Sequence, residues 1–330
     1  MMTKKRSMHA QAIQQLIERM PGRKLPAERE MAVQFGISRT KLRAILAEFE
    51  TEGLVERHQG SGTYAVDAAS TRIETLAILI DKNLKLGDDP FFTYFVEKLQ
   101  HTLQENRIRA VIERIDPLTK PIVFEDAVIT LGLAGANVVK RWQKSDPPLA
   151  GMWINDTPRP GARVSLFQLE NSDAGKDAAR RILMKELCFA YLIGRSSIPD
   201  WSDRVAGAQA ILESAGVQSE IIDCGMNYAA GLELGHNLRQ PANHDKFGII
   251  AANDWLALGL RTGLSDRGDE TLARAPIVSF DGLTVASSPR LGIESLTIPV
   301  EEIAEDVLVE LRRLRRFPSS SGRVVRYRLT

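Results

Sequence analysis

The chain has 330 residues, 44% of them hydrophobic and 26% charged, with a net charge of +1; these values exclude disordered and fibrous classes and leave room for one small domain and one larger one. No apolar run approaches the ~18 residues that span a bilayer, and the first twenty residues lack a secretory apolar core, so a cytoplasmic protein with no membrane partner is expected. The near-neutral total hides an asymmetry: residues 1–72 carry 12 Lys and Arg against 8 Asp and Glu, and the remainder 31 against 34, the distribution that a small polyanion-binding head on a larger body requires.

In chain order, Ile13, Leu16, Ile17 and Met20 mark one face of a first helix over residues 8–20, ended by Pro21-Gly22. A second opens at Pro26-Ala27-Glu28, where proline suits the first turn and acidic residues suit the positive end of the dipole, and stops at Gly36. Ser38 reads as the N-cap of a third, in which Leu42, Ile45, Leu46 and Phe49 form a narrow buried stripe. At 100° per residue, Thr40, Arg43, Ala44 and Ala47 point the other way, with Arg39 and Lys41 flanking the first turn. Helix, tight turn and a helix with basic first turns predict a helix-turn-helix, the second helix lying in the major groove. Residues 54–57 and 63–66 read as short strands around the Gly60-Ser61-Gly62 tip, which makes a wing.

The stretch LPAEREMAVQFGISRTKLRAILAEFETEGLVERHQGSGTYAV, within residues 7–67, closely resembles the DNA-binding domain of the GntR family of bacterial regulators. That resemblance implies that Arg29, Arg39, Thr40 and Arg43, with Lys41 beside them, contact double-stranded operator DNA, and that Gln59 and Gly60 approach the minor groove. Arginine suits the role because its fork can engage guanine O6 and N7, worth roughly 1–3 kcal/mol of base discrimination.

Residues 67–71 read as a polar linker, dividing a winged helix-turn-helix domain over 1–70 from a second domain over 74–330. There strands at 75–80, 109–115, 127–131, 149–154, 164–169, 188–193, 220–224, 247–251, 277–280 and 292–297 alternate with helices at 91–105, 174–185, 202–215, 228–238, 255–264 and 300–315, an α/β pattern of parallel sheets covered by helices. Cys188 and Cys224 fall within predicted strands and read as small core residues. The segments DDPFF, WSDRVAGAQAILESAG, IIAANDWLALGL and PIVSFDGL followed by SPRLGIESLTIPVEEIAEDVLVEL resemble, in order, the two-lobed, periplasmic-binding-protein-like effector domain of the LacI/GalR regulators. Head and body together resemble regulators of the arabinose-repressor type.

The resemblance implies a small-molecule effector, a sugar, bound between lobes by Arg204, Asn253 and Asp281, with Phe91, Phe92 and Trp201 offering apolar faces and Asn171 a further polar contact. Vicinal hydroxyls both donate and accept, which suits a guanidinium, an amide and a carboxylate. Asp254, opening a helix, reads as a cap. Only residues 116–126 separate two predicted parallel strands, too few for the usual crossover helix, so either a helix is missing or a strand is misassigned. The C-terminal arginines at 312, 313, 315, 316, 323, 326 and 328 leave further DNA binding open, but cations in a last helical turn are favoured by the dipole, and the preferred reading is surface charge. No catalytic residue, metal cluster or cofactor motif is found. The expected function is a homodimeric, sugar-controlled repressor and not an enzyme; the alternative is a DNA-binding scaffold whose body has lost its ligand and serves dimerisation or a protein partner.

Overall fold

A computed structural model describes the chain apart from residues 1–6, 52, 59–60, 67–71, 85, 87–89, 117–125, 143–145, 153–161, 243, 245 and 317–319. Three helices open it: α1 (Met8–Glu18), α2 (Glu28–Gln34) and α3 (Arg39–Thr51). The N-termini of α1 and α3 are capped by serines, because the first backbone N–H groups have no partner inside the helix. Ser7 Oγ accepts from Ala10 N at 3.3 Å and Ser38 Oγ from Lys41 N at 3.2 Å. Gly36, at φ +63°, supplies the left-handed residue that turns α2 into α3. Ile13, Ile17, Met31, Leu42, Leu46 and Phe49 make a core of the head's own, closed by Val55 from strand β1 (Val55–His58), which pairs antiparallel with β2 (Gly62–Ala65).

The body holds two parallel sheets. The first lobe has β3 (Thr75–Asp81), β4 (Arg109–Ile115), β5 (Ala127–Leu131), β6 (Leu149–Met152) and β7 (Val164–Leu169), with α4 (Pro90–Glu105) and α5 (Leu133–Arg141). Strand β3 shows why it lies at the centre: every residue is buried, Leu76, Ile78 and Ile80 facing the core that contains α4, and Ala77 and Leu79 facing Val138 and Val139 of α5. The second lobe has α6 (Asn171–Leu183), β8 (Phe189–Gly194), α7 (Pro199–Ser214), β9 (Gln218–Asp223), α8 (Tyr228–Asn237), β10 (Phe247–Ala251), α9 (Asp254–Asp266), α10 (Glu270–Ala273), β11 (Ile277–Asp281) and β12 (Ile293–Thr297). The chain then returns through α11 (Val300–Arg316) and β13 (Val324–Tyr327), which pairs parallel with β7. The strand orders are β13-β7-β6-β5-β3-β4 and β12-β11-β10-β8-β9. The lobes are joined three times: after β7, after β12, and by the terminal residue, where Thr330 and Thr297 exchange backbone hydrogen bonds of 2.7 and 3.1 Å.

Several expectations need correction. The cysteines flank strands instead of lying in them: Cys188 is exposed just before β8, and Cys224 is half-buried just after β9. Burial, followed by the neighbouring Asp223, pushes the Cys224 thiol up to about 11, so it stays protonated and unreactive near neutrality. Arg326, read as surface charge, is exposed, but it stands on β13, an edge strand outside the expected set. Helices α5 and α10 were not anticipated. Of the two explanations for the short crossover, a misassigned strand is excluded, since β5 pairs parallel with β3 over Leu76↔Ala127 to Ile80↔Leu131. Residues 117–125 of that crossover, the linker 67–71 and the predicted strand end at residues 153–154 lie outside the described residues.

Candidate DNA-reading face and effector cleft

On α3 the buried and exposed faces separate as the spacing requires. Leu42 and Leu46 are fully buried, while Arg39, Thr40, Lys41 and Arg43 are exposed, as is Arg29 on α2. Arg43 Nε donates to Glu28 Oε2 at 2.7 Å, which orients the guanidinium while leaving its side chain 58% exposed. Arg57 of the wing donates to the Arg43 carbonyl at 3.3 Å and pairs with Glu50 at 3.6 Å, tying β1 to α3. Gln59 and Gly60, the predicted minor-groove contacts, lie outside the described residues.

In the body, the close approach of α6 and α7 builds the site. A Cβ on Gly175 would collide with the Arg204 carbonyl, and one on Gly207 with that of Ser172, so glycine at both positions lets the helix backbones touch. That contact sets Asn171, in the first turn of α6, beside Arg204 on α7. Arg204 Nε donates to Asn171 Oδ1 at 2.9 Å and Nη1 to the Ala252 carbonyl at 3.0 Å, and its guanidinium carbon sits 4.4 Å from the centre of the Phe280 ring. A buried guanidinium needs such partners. The residues following Ala252 and Phe280 are Asn253 and Asp281, so Asn171, Arg204, Asn253 and Asp281 gather at the C-terminal edge of the second sheet, all less than a tenth exposed. Trp201 joins them, packed over Gly194 at the end of β8.

Asn253, not Asp254, is the N-cap of α9: its Oδ1 accepts from Leu256 N and its Nδ2 donates to the Met226 carbonyl, both at 2.8 Å. Asp254 is instead a fully buried hub that accepts from Ser279 Oγ and, at 2.7 Å, from Leu283 N. Burial raises its pKa, and the hydrogen bonds from Ser279, Ser295, Leu283 and Gly282 act against that rise. The hub pins the turn after β11, where Asp281 has φ +114°, an unfavourable value for a residue with a Cβ. Gly282 N donates to Ser295 Oγ at 2.9 Å and completes the clamp.

The aromatic candidates divide. Trp201 is 1% exposed, a core side chain, and its indole Nε1 has no hydrogen-bond partner among the described residues. Phe91 and Phe92 stand on the first turn of α4 in the other lobe, 5.2 Å apart edge to face, with Phe91 stacked on Phe95 at 6.1 Å; Phe91 is buried in the core and Phe92 is half-buried. Sequence reasoning missed Asp200. It lies in the first turn of α7, hidden because the helix was expected to start only at Ser202, and burial pushes its carboxyl up to about 6 against the opposing pull of Arg204.

Comparison with known proteins separates the two regions. Residues 6–65 match the family of bacterial regulatory proteins, gntR family. Over 100 residues the chain is 33% identical to the arabinose metabolism transcriptional repressor of Geobacillus stearothermophilus, covering 28% of this chain and 25% of that protein. Over 45 residues it is 51% identical to the Uxu operon regulator of Haemophilus influenzae, covering 14% and 17%. The chain thus spans a quarter or less of the length of these curated relatives. The body superposes on the crystal structure of a LacI family transcriptional regulator from Enterococcus faecium with bound ribose, at a TM-score of 0.64, 16% identity, 78% coverage of this chain and 96% of that one. The body therefore has the two-lobed α/β fold of that structure.

Proposed function

We propose that this protein is a cytoplasmic transcription regulator, a repressor that releases its operator when a neutral sugar enters the cleft between the lobes. The observation that carries the reading is the division of α3, with Leu42 and Leu46 buried in the head and Arg39, Thr40, Lys41 and Arg43 exposed on one side. A winged helix reads one half-site, so two heads in a homodimer match a two-fold symmetric operator. The effector reading is supported by Asn171, Arg204, Asn253 and Asp281 at one sheet edge and by the ribose bound to the E. faecium structure. Acidic groups at that edge, Asp200 and Asp281, favour polyhydroxyl ligands over phosphate esters. Useful switching needs a coupling of roughly 1–3 kcal/mol between sugar and DNA.

The test is direct. The full chain, presented with a random duplex pool, enriches a two-fold symmetric sequence, and Arg43→Ala weakens binding to it about tenfold or more, the cost of one lost base contact; unchanged affinity would refute the docking. A rise in melting temperature with one member of a panel of neutral sugars, sugar acids and sugar phosphates identifies the effector, because a ligand at ~100 times its Kd adds about 2.7 kcal/mol of stability. Silence across the panel favours the scaffold whose body no longer binds a ligand.

A further inference from the structure

We propose that the end of the first lobe at which its strands begin is a second DNA contact, independent of base sequence, that grips the sugar-phosphate backbone of the duplex held by the head; this rests on the DNA-binding reading above. In a parallel sheet covered by helices, the helices run back against the strands, so strand starts and helix ends meet at one pole. The hydrogen bonds trace that pole. Arg109 N donates to the Glu74 carbonyl at 2.8 Å, and Asp126, just before β5, accepts from Glu74 N at 2.8 Å and Thr75 N at 3.1 Å. Arg315, near the end of α11, pairs with the same Asp126 at 2.7 Å, and Arg163, just before β7, donates to the Leu314 carbonyl at 2.8 Å. Arg312 donates to Asn106, just past the end of α4, at 2.9 Å.

This pole carries exposed Arg72, Arg107, Arg109, Arg141 and Arg312, in addition to Arg163 and the rest of the α11 end. Among the described residues the acids there are Glu74, Glu105, Asp126, Asp146 and Glu310, and the cations clearly outnumber them. Three helices end here, and their dipoles supply only roughly half a negative charge each, so dipole compensation does not account for the excess. The cations crowd one another: burial lowers the pKa of Arg163, and neighbouring Arg315 adds to that lowering. A polyanion relieves such crowding, and duplex DNA presents one charge per ~1.7 Å of axis.

The tether says which polyanion arrives. Ile73 is buried and Glu74 and Thr75 are clamped by Asp126, so the head is attached at this pole and no other. Residues 67–71 span at most ~18 Å when fully extended. A duplex seated on α3 is therefore held at high local concentration beside these arginines.

The experiment measures binding of the full chain to a long mixed-sequence duplex by fluorescence anisotropy between about 50 and 200 mM salt. The triple variant Arg72→Ala, Arg107→Ala, Arg312→Ala, with an unchanged melting temperature, should lower the slope of log affinity against log salt by roughly 2 to 3, near 0.9 per lost phosphate. The corresponding triple change to Lys should keep the slope. A charge-matched control, Lys185→Ala, Lys246→Ala, Arg274→Ala at the far end of the second lobe, should leave it alone. A pole variant with the wild-type slope overturns the proposal, and so does an equal loss in the control, which would make the effect one of net charge. Wild-type protein that binds no duplex, or an Arg43→Ala variant that binds as wild type, instead defeats the reading of the head.

Discussion

The head and the body place their candidate residues in opposite ways. In the head, the helical candidates Arg29, Arg39, Thr40, Lys41 and Arg43 fall within fifteen residues on two consecutive helices. In the body, Asn171, Arg204, Asn253 and Asp281 come from four separate elements and meet only because α6 lies against α7 and the strands β10 and β11 end side by side. A local motif keeps its chemistry wherever the domain folds. A distributed site depends on buried polar groups that hold its parts together, and the strongest perturbations are expected there.

The largest effect should follow Asp254→Ala. The change leaves Ser279 Oγ and Leu283 N buried without their acceptor, at about 1–3 kcal/mol per orphaned group, so about 3 kcal/mol of body stability should be lost. Because the turn bearing Asp281 is released too, any sugar-dependent thermal shift should shrink with it. The head shares no core residue with the body, and hydrogen exchange over residues 8–65 should remain as in the wild type; a head that loosens as much as the body would erase the contrast.

Legibility follows the same division. β5, β7 and β10 were delimited to the residue, because Ala127–Leu131, Val164–Leu169 and Phe247–Ala251 are nearly continuous apolar runs bounded by polar residues. β13 was invisible because it lies at a sheet edge, where Arg326 stands in solvent between apolar neighbours. A displacement of a residue or a few changed the assigned roles. With α9 starting at Asp254, the cap falls on Asn253, and Asp254, expected as the cap, is the buried hub; with α7 starting at Pro199, Asp200 stands in its first turn beside Arg204. Helix boundaries are set by caps and tertiary contacts as much as by periodicity, and in a distributed site a small shift decides which side chain faces inward.

A pH titration probes the same site with a smaller effect. The Asp200 carboxyl is held near 6 in the folded protein, chiefly by burial, against ~3.9 in an unfolded chain. The folded state therefore binds this proton more tightly, and its contribution to stability is full below about 4 and is lost as pH rises through 6. Asp200→Asn should remove this dependence and raise stability at pH 7 by about 2 kcal/mol. If the variant and the wild type show the same change in melting temperature between pH 5 and 7, the carboxyl is not buried as the structure has it.

The smallest expected effect returns to the head. Ser38 Oγ accepts from Lys41 N at 3.2 Å at the start of α3, and a lost cap costs about 1 kcal/mol, so Ser38→Ala should speed hydrogen exchange in the first turn of α3 while leaving the body's melting unchanged. The same turn carries Arg39, Thr40 and Lys41, and a frayed turn must be ordered again on docking. Operator affinity should therefore fall a few-fold even though Ser38 itself is not assigned a DNA contact. Ser38→Asp, which restores the capping oxygen, should bring back the slow exchange, yet its added negative charge faces the phosphates and should leave affinity low. Recovery of both by aspartate would mean that order of the first turn, and not the charge next to the DNA, limits binding; loss of affinity without faster exchange would mean that the hydroxyl itself touches the duplex.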